Sequence, residues 1–351
     1  MPEHTLEAYR LGLDLGADAV ETDVVLTRDG ELVCRHDCEL SLTTDIASRP
    51  EFAARKTIKC IDGETAAGWF VEDFTLAEIR TLRSRQRFDF RDHSFDGKFA
   101  VVTLAELLDF IASAKTRAGH PAGLITEIKH AAYFDSLGMS MENAICNALR
   151  DRVPAKAESD DEDAESLVAQ ASRLCPPAGK HSRDGRATND SRFPIWVECF
   201  EIDILRRLRQ RISTPTIQLL DATNMQPADI AAVGGSMTFG DMITPAGLAQ
   251  IATYATGIGA WKELIIPRLP IGSLTGKPLR QAYAQPTSLI SDAHAIGLSV
   301  HAWTFRNEPQ FLAIDDDDDP RREYQRFASL KLDGFITDFP KDHMTVGNPS
   351  A

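Results

Sequence analysis

Two spacings of apolar residues alternate along the chain. After Thr5, a residue able to cap a helix, Leu6, Tyr9 and Leu13 recur at helical intervals, and Gly16 stops the run. Residues 19–27 are rich in β-branched side chains and end at Arg28-Asp29-Gly30, which predicts a strand and a tight turn. Residues 31–36 read as a second strand, so the turn joins a hairpin-like or bent pair. From about 38 to 100 the pattern is irregular apart from a short helical piece near 75–82, and the stretch reads as an insertion, not a second fold. A helix over 103–114 is predicted to start at Thr103, with Glu106 three residues on as in a capping box. A strand over 123–129 and a helix over 141–150 follow.

Residues from about 153 to 193 are acidic and polar with Pro176-Pro177 among them, and predict a solvated, disordered loop. Alternation then resumes. Strands are predicted over 195–200, 216–220, 258–261, 298–305 and 334–337, and helices over 202–211, 286–296 and 321–330, with a variable helical stretch running to Tyr254. The Asp315 to Asp319 run predicts an exposed loop. Strand–helix alternation argues for parallel β/α units, and seven to eight strands fit an α/β TIM (β/α)8 barrel better than an open sheet. No Gly-x-Gly-x-x-Gly follows a strand, so the dinucleotide-binding signal is missing.

Composition narrows the partners. The 351 residues are 43% hydrophobic and 26% charged, enough for one large core. Lys+Arg number 38 against 52 Asp+Glu, a net charge of −14, which argues against nucleic acid as a partner. A phosphate-bearing small molecule remains open, provided a local cation receives it. No run of 18 apolar residues is present to span a membrane. Cys34 and Cys38 flank His36, but no second ligand pair follows, so a zinc clip is the weaker reading.

The candidate chemistry lies on strands. Glu21 and Asp23 alternate with Val20, Thr22 and Val24, so both carboxylates point to one face. Two such groups inside a barrel repel unless a cation sits between them, and hard oxygen ligands favour Ca²⁺ or Mg²⁺. Glu127 and Lys129 repeat the geometry on a later strand, offering a third carboxylate and a positive charge for a phosphate oxygen. His36 ends the second predicted strand and can exchange a proton near neutrality. Trp303 falls at a strand end, where it could pack against a carbon face of a substrate or simply fill core. His301, two residues earlier, is a weaker candidate.

These residues carry a family resemblance. Pro2-Glu3-His4-Thr5, Gly16-Ala17-Asp18, Glu21-Thr22-Asp23, Thr27-Arg28-Asp29-Gly30 and His36-Asp37 resemble, in order and spacing, the opening of glycerophosphodiester phosphodiesterases. Thr126-Glu127-Ile128-Lys129, His301-Ala-Trp-Thr304 and Asp333 to Pro340 resemble that family's central and last strands. The resemblance implies one TIM-barrel domain over 1–346, with an insertion after His36. It implies a divalent cation on Glu21, Asp23 and Glu127, Lys129 on the phosphate, and His36 as one of two catalytic histidines. The implied reaction splits a glycerophosphodiester into an alcohol and glycerol 3-phosphate. The family also opens with a strand ending His-Arg-Gly, which has no counterpart ahead of Pro2; the expectation is an incomplete start. His4 occupies the helix-start position and is not expected to replace the missing histidine. Two other readings stay open: a non-catalytic barrel that binds phosphodiesters or metal, and a sphingomyelinase-like phospholipase D.

Overall fold

The computed structural model describes residues 1–150, 152, 193–271 and 280–344. The chain divides into two compact units. Within the described residues, the first comprises 1–150, 152, 193–214 and 228–235, and the second 215–227, 236–271 and 280–344.

The first unit opens with α1 (Leu6–Leu15). Thr5 Oγ1 accepts the Ala8 N–H at 3.3 Å, and Gly16 closes the helix in the left-handed conformation at φ 115°. Tyr9 and Leu13, four residues apart, bury that helix's inner face. Next come β1 (Ala19–Leu26), the turn at Gly30 (φ 83°) and β2 (Leu32–Cys34), paired antiparallel with Val24 opposite Cys34. Later come β5 (Gly123–Ile128) and β6 (Ile195–Cys199), so this unit's sheet runs β6-β5-β1-β2, with β6, β5 and β1 parallel.

Between β2 and β5 the chain is richer than its irregular pattern suggests. β3 (Thr57–Ile61) and β4 (Glu64–Gly68) form an antiparallel hairpin through Asp62 (φ 50°) and Gly63 (φ 86°). Asp-Gly with both residues left-handed is the favoured two-residue hairpin turn. Short α2 (Leu76–Ile79) and α3 (Leu104–Ser113) follow, both with capping boxes, at Thr75/Glu78 and Thr103/Glu106. Leu104, Leu107, Leu108 and Ile111 bury the inner face of α3. α4 (Ala131–Ser136), which the apolar spacing did not reveal, α5 (Met141–Leu149) and α6 (Ile202–Arg211) complete the main helices of this unit. The polar segment expected as a loop over 153–193 lies outside the described residues apart from Phe193.

In the second unit β7 (Thr216–Leu220), β8 (Gly257–Trp261), β11 (Ser299–Phe305) and β12 (Gly334–Thr337) form a parallel sheet in that order. β9 (Arg268–Ile271) and β10 (Arg280–Tyr283) make a separate antiparallel pair that the sequence pattern did not reveal. The expected Asp315–Asp319 exposed loop needs correction. Asp316 is fully buried, and its Oδ2 accepts the Tyr283 hydroxyl at 2.9 Å and the Ala313 N–H at 3.2 Å. Asp319 caps the helix Pro320–Ser329 through the Arg321 N–H. A run of five aspartates is thus partly structural, because a buried carboxylate with donors stays satisfied. Both units show the β/α alternation of the barrel class.

Thr103→Ala removes one half of the α3 capping box. It is expected to cost about 1 kcal/mol of unfolding free energy in urea titrations, since an N-cap hydroxyl contributes on that order; an unchanged midpoint would contradict the assignment.

Candidate active site

Strand register builds the site in the first unit. Asp23 pairs with Glu127 across β1 and β5, and Glu127 pairs with Glu198 across β5 and β6. Parallel strands lie about 4.8 Å apart, so three carboxylates stand side by side in one row. Glu21 precedes Asp23 by two residues on the same face of β1. Thr22, between them, points the other way and is buried against Tyr9 of α1, whose hydroxyl donates to Thr22 Oγ1 at 2.7 Å.

One ammonium group sits among these acids. Lys129 Nζ lies 2.9 Å from Asp23 Oδ1 and 2.6 Å from Glu127 Oε1, and 5.8 Å from the centre of the Phe200 ring. The Lys129 backbone N–H donates to the Val24 carbonyl at 3.2 Å, extending the β1–β5 ladder by one residue and fixing where the side chain starts. Asp23 is held from its other oxygen as well: His4 Nε2 lies 2.9 Å from Oδ2.

The electrostatics divide the row in two. Burial alone would raise the Asp23 carboxyl, but Lys129 and the His4 hydrogen bond outweigh it and hold Asp23 well below its ordinary range. Glu21 moves the opposite way, raised first by burial and then by the charges of Asp23, Glu198 and Glu127. Glu127 is raised by burial despite Lys129. Burial and the charge of Asp23 push Glu198 up to about 8.

Among the described residues, Glu21, Glu127 and Glu198 offer carboxylate oxygens within 4.8 Å of one another. Glu21 Oε1 and Glu198 Oε2 are buried without a hydrogen-bond partner. Orphaned buried carboxylate oxygens are costly, and several converging on one point suit a hard divalent cation. The residues present therefore fit such an ion. Sequence pattern and resemblance pointed to Glu21, Asp23 and Glu127; Glu21 and Glu127 belong to this cluster, and Asp23 lies beside it, joined to Glu127 through Lys129. Pattern and resemblance both missed Glu198, which stands at 1% exposure in the segment Ile195-Trp-Val-Glu-Cys199. A single carboxylate inside an otherwise apolar strand was the available signal.

His36 reaches the same site from β2. The Arg35 N–H donates to the Asp23 carbonyl at 3.0 Å, so His36 follows directly beside β1, and its charge acts on Asp23. Its Nδ1 lies 2.8 Å from Asp37 Oδ1. Asp37 in turn pairs with Arg87, whose Nε lies 2.8 Å from Glu3 Oε2. Burial opposes ionisation of Asp37, yet the His36 hydrogen bond and Arg87 hold its carboxyl far below the usual range. Arg87 comes from the insertion, and sequence spacing gave no sign of it.

Trp303 lies in the second unit, where its Nε1 donates to the Gly259 carbonyl at 2.9 Å. It shares the wall of a cavity of about 220 Å³ with Trp261 and Lys262. His301 on the same strand is lowered by burial and sits 3.3 Å from Ser299 Oγ.

Comparison with known proteins bears on this arrangement. A family model described as the glycerophosphoryl diester phosphodiesterase family matches residues 1–158 and 179–342. A glycerophosphodiester phosphodiesterase of Arabidopsis thaliana, GDPD6, is 30% identical over 347 residues, covering 97% of this chain and 80% of the relative. One from Haemophilus influenzae is 23% identical, covering 97% of this chain and 84% of that protein. Among solved structures, a candidate glycerophosphoryl diester phosphodiesterase of Silicibacter pomeroyi superposes with a TM-score of 0.59 at 21% identity, covering 99% of this chain and 88% of that one. An Oleispira antarctica phosphodiesterase, solved in complex with the product sn-glycerol-3-phosphate, gives 0.56 at 16% identity, covering 98% and 91%. At these identities the two structures speak for the fold.

The carboxylate row makes stability depend on pH. An acid raised on folding binds more protons folded than unfolded between its ordinary value, 4.5, and about 8. Stability of the cation-free protein therefore falls as pH climbs through that window. In EDTA, Glu198→Gln is expected to melt several degrees above the unsubstituted protein at pH 8 and close to it at pH 4.5. A gap that does not widen with pH would contradict the assignment.

Proposed function

Because the chain belongs to the glycerophosphoryl diester phosphodiesterase family, we propose that it hydrolyses glycerophosphodiesters such as glycerophosphocholine to an alcohol and sn-glycerol 3-phosphate, with a divalent cation at the carboxylate row. The carrying observation is the convergence of Glu21, Glu127 and Glu198 with orphaned buried oxygens, beside Asp23, Lys129 and His36. The product named with the Oleispira relative fits the same reaction. Such turnover belongs to the metabolism of glycerol and deacylated lipids.

Glu21, Glu127 and Glu198 would hold Ca²⁺ or Mg²⁺, with Asp23 as the remaining oxygen donor. When bound, the ion polarises the phosphate and lowers the pKa of the attacking hydroxyl or water. The protein's own groups supply the rest. Lys129 is a point charge for a phosphate oxygen, and an ammonium that already faces Asp23 and Glu127 is held ready at the site. His36 takes a proton at Nε2 from the attacking oxygen or returns one to the departing alkoxide, while Asp37 fixes its ring through Nδ1. Trp303, late in its strand, offers an aromatic ring that a glycerol carbon face could pack against.

The test is release of sn-glycerol 3-phosphate from glycerophosphocholine with Mg²⁺ or Ca²⁺. Turnover that EDTA abolishes and that His36→Ala lowers by roughly 10²–10⁴-fold is expected, the range a positioned acid–base group supplies. No release of product would overturn the reading. Release indifferent to both EDTA and His36→Ala would overturn the roles of the cation and of His36.

A further inference from the structure

His4 takes no part in the proposed hydrolysis, yet it is among the most constrained side chains of the first unit. Its backbone is left-handed, at φ 52°, a region that costs a residue with a Cβ on the order of 1 kcal/mol. It is only 8% exposed, and both ring nitrogens are engaged. Nδ1 lies 2.9 Å from the Tyr9 hydroxyl, which is held by Thr22 Oγ1 at 2.7 Å, and Nε2 lies 2.9 Å from Asp23 Oδ2. The line Thr22–Tyr9–His4–Asp23 thus leaves β1 on its helix-facing side, passes through α1 and returns to β1 on the carboxylate side. A buried histidine of any role needs both nitrogens satisfied; what sets His4 apart is that the partner at Nε2 is a carboxylate of the row and that its backbone is left-handed.

We propose that His4 is a positioning residue, whose ring, set by Tyr9 and by the left-handed backbone at position 4, fixes the Asp23 carboxylate and so shapes the row that receives the cation. This inference rests on the proposed phosphodiesterase function. Asp23 has two oxygens and two partners. With Oδ2 taken by His4, only Oδ1 turns toward Lys129 and the acids beside it. Without the imidazole, Asp23 is free to rotate and take Lys129 on both oxygens, drawing the ammonium from Glu127. Groups that orient ligands in this way typically carry 10–100-fold of metal affinity or activity.

Three substitutions separate the backbone from the ring. Glycine accepts the left-handed conformation without a side chain, alanine loses both, and glutamine carries an amide N–H to about the place of Nε2. Binding of Mg²⁺ and Ca²⁺ is measured by calorimetry, with folding checked by circular dichroism. His4→Gly and His4→Ala are expected to lose roughly 10–100-fold in ion affinity, with His4→Gly the more stable of the two. His4→Gln is expected to recover most of the affinity, and Tyr9→Phe to lose a few-fold. Affinity in His4→Gly equal to that of the unsubstituted protein would overturn the proposal. A second readout needs no ion: side-chain ¹⁵N resonances of His4 in EDTA. The Nε2 proton is expected to be visible and to shift in Asp23→Asn; an unmoved resonance would overturn the proposal. Failure of the unsubstituted protein to bind either ion would overturn the functional reading instead, and the resonance would still decide the role of His4.

Discussion

The attraction between the Lys129 ammonium and the carboxylates of Asp23 and Glu127 is the constraint on which the first unit turns. Register alone sets Asp23, Glu127 and Glu198 abreast, and Glu21 stands two residues away on the same face. Four acids shielded from water would repel strongly, because charges a few ångströms apart interact far more in a protein than in water. Lys129 answers part of that repulsion. The rest appears as carboxyls pushed upward at Glu21, Glu127 and Glu198. A row under this tension is poor architecture for stability alone. In the proposed function a divalent cation supplies the missing positive charge.

The surrounding elements serve that row. α1 is short, but its cap at Thr5 and its buried Tyr9 place His4 against Asp23. The tight turn at Gly30 folds β2 back on β1 and delivers His36 beside the same residue. The insertion contributes Arg87, which links Glu3 to Asp37 and so steadies the partner of His36. It also carries the β3–β4 hairpin, whose Asp62 lies 2.5 Å from Nδ1 of His130, the residue after Lys129. The insertion after His36 is therefore structured, and it reaches the neighbours of both His36 and Lys129.

Legibility from sequence followed the range of each interaction. The period of two in β1 exposed Glu21 and Asp23 as a same-face pair, and α1 and α3 were readable because their caps and apolar spacings are local. Glu127, Lys129 and His36 were found by strand position and by the family resemblance. Glu198 was not, because nothing local in Ile195–Cys199 says that β6 lies next to β5; that is a fact of register. His4 was set aside as a helix-start residue, since its left-handed backbone and its contact with Asp23 arise only once α1 packs on β1. The β3–β4 hairpin hid behind strands that are exposed on most positions and so lack a clean alternation, although Asp62-Gly63 marked its turn. Asp316 was misread because its partner Tyr283 lies 33 residues upstream.

Where a divalent ion rests decides whether the carboxylate row has the role proposed for it. Crystals soaked in Mn²⁺ and measured at the manganese absorption edge test this most directly. The expected result is one strong anomalous peak in the first unit, coordinated by oxygens of Glu21, Glu127 and Glu198 at about 2.0–2.4 Å. A well-ordered site with no peak there, or with the peak elsewhere on the molecule, would contradict it.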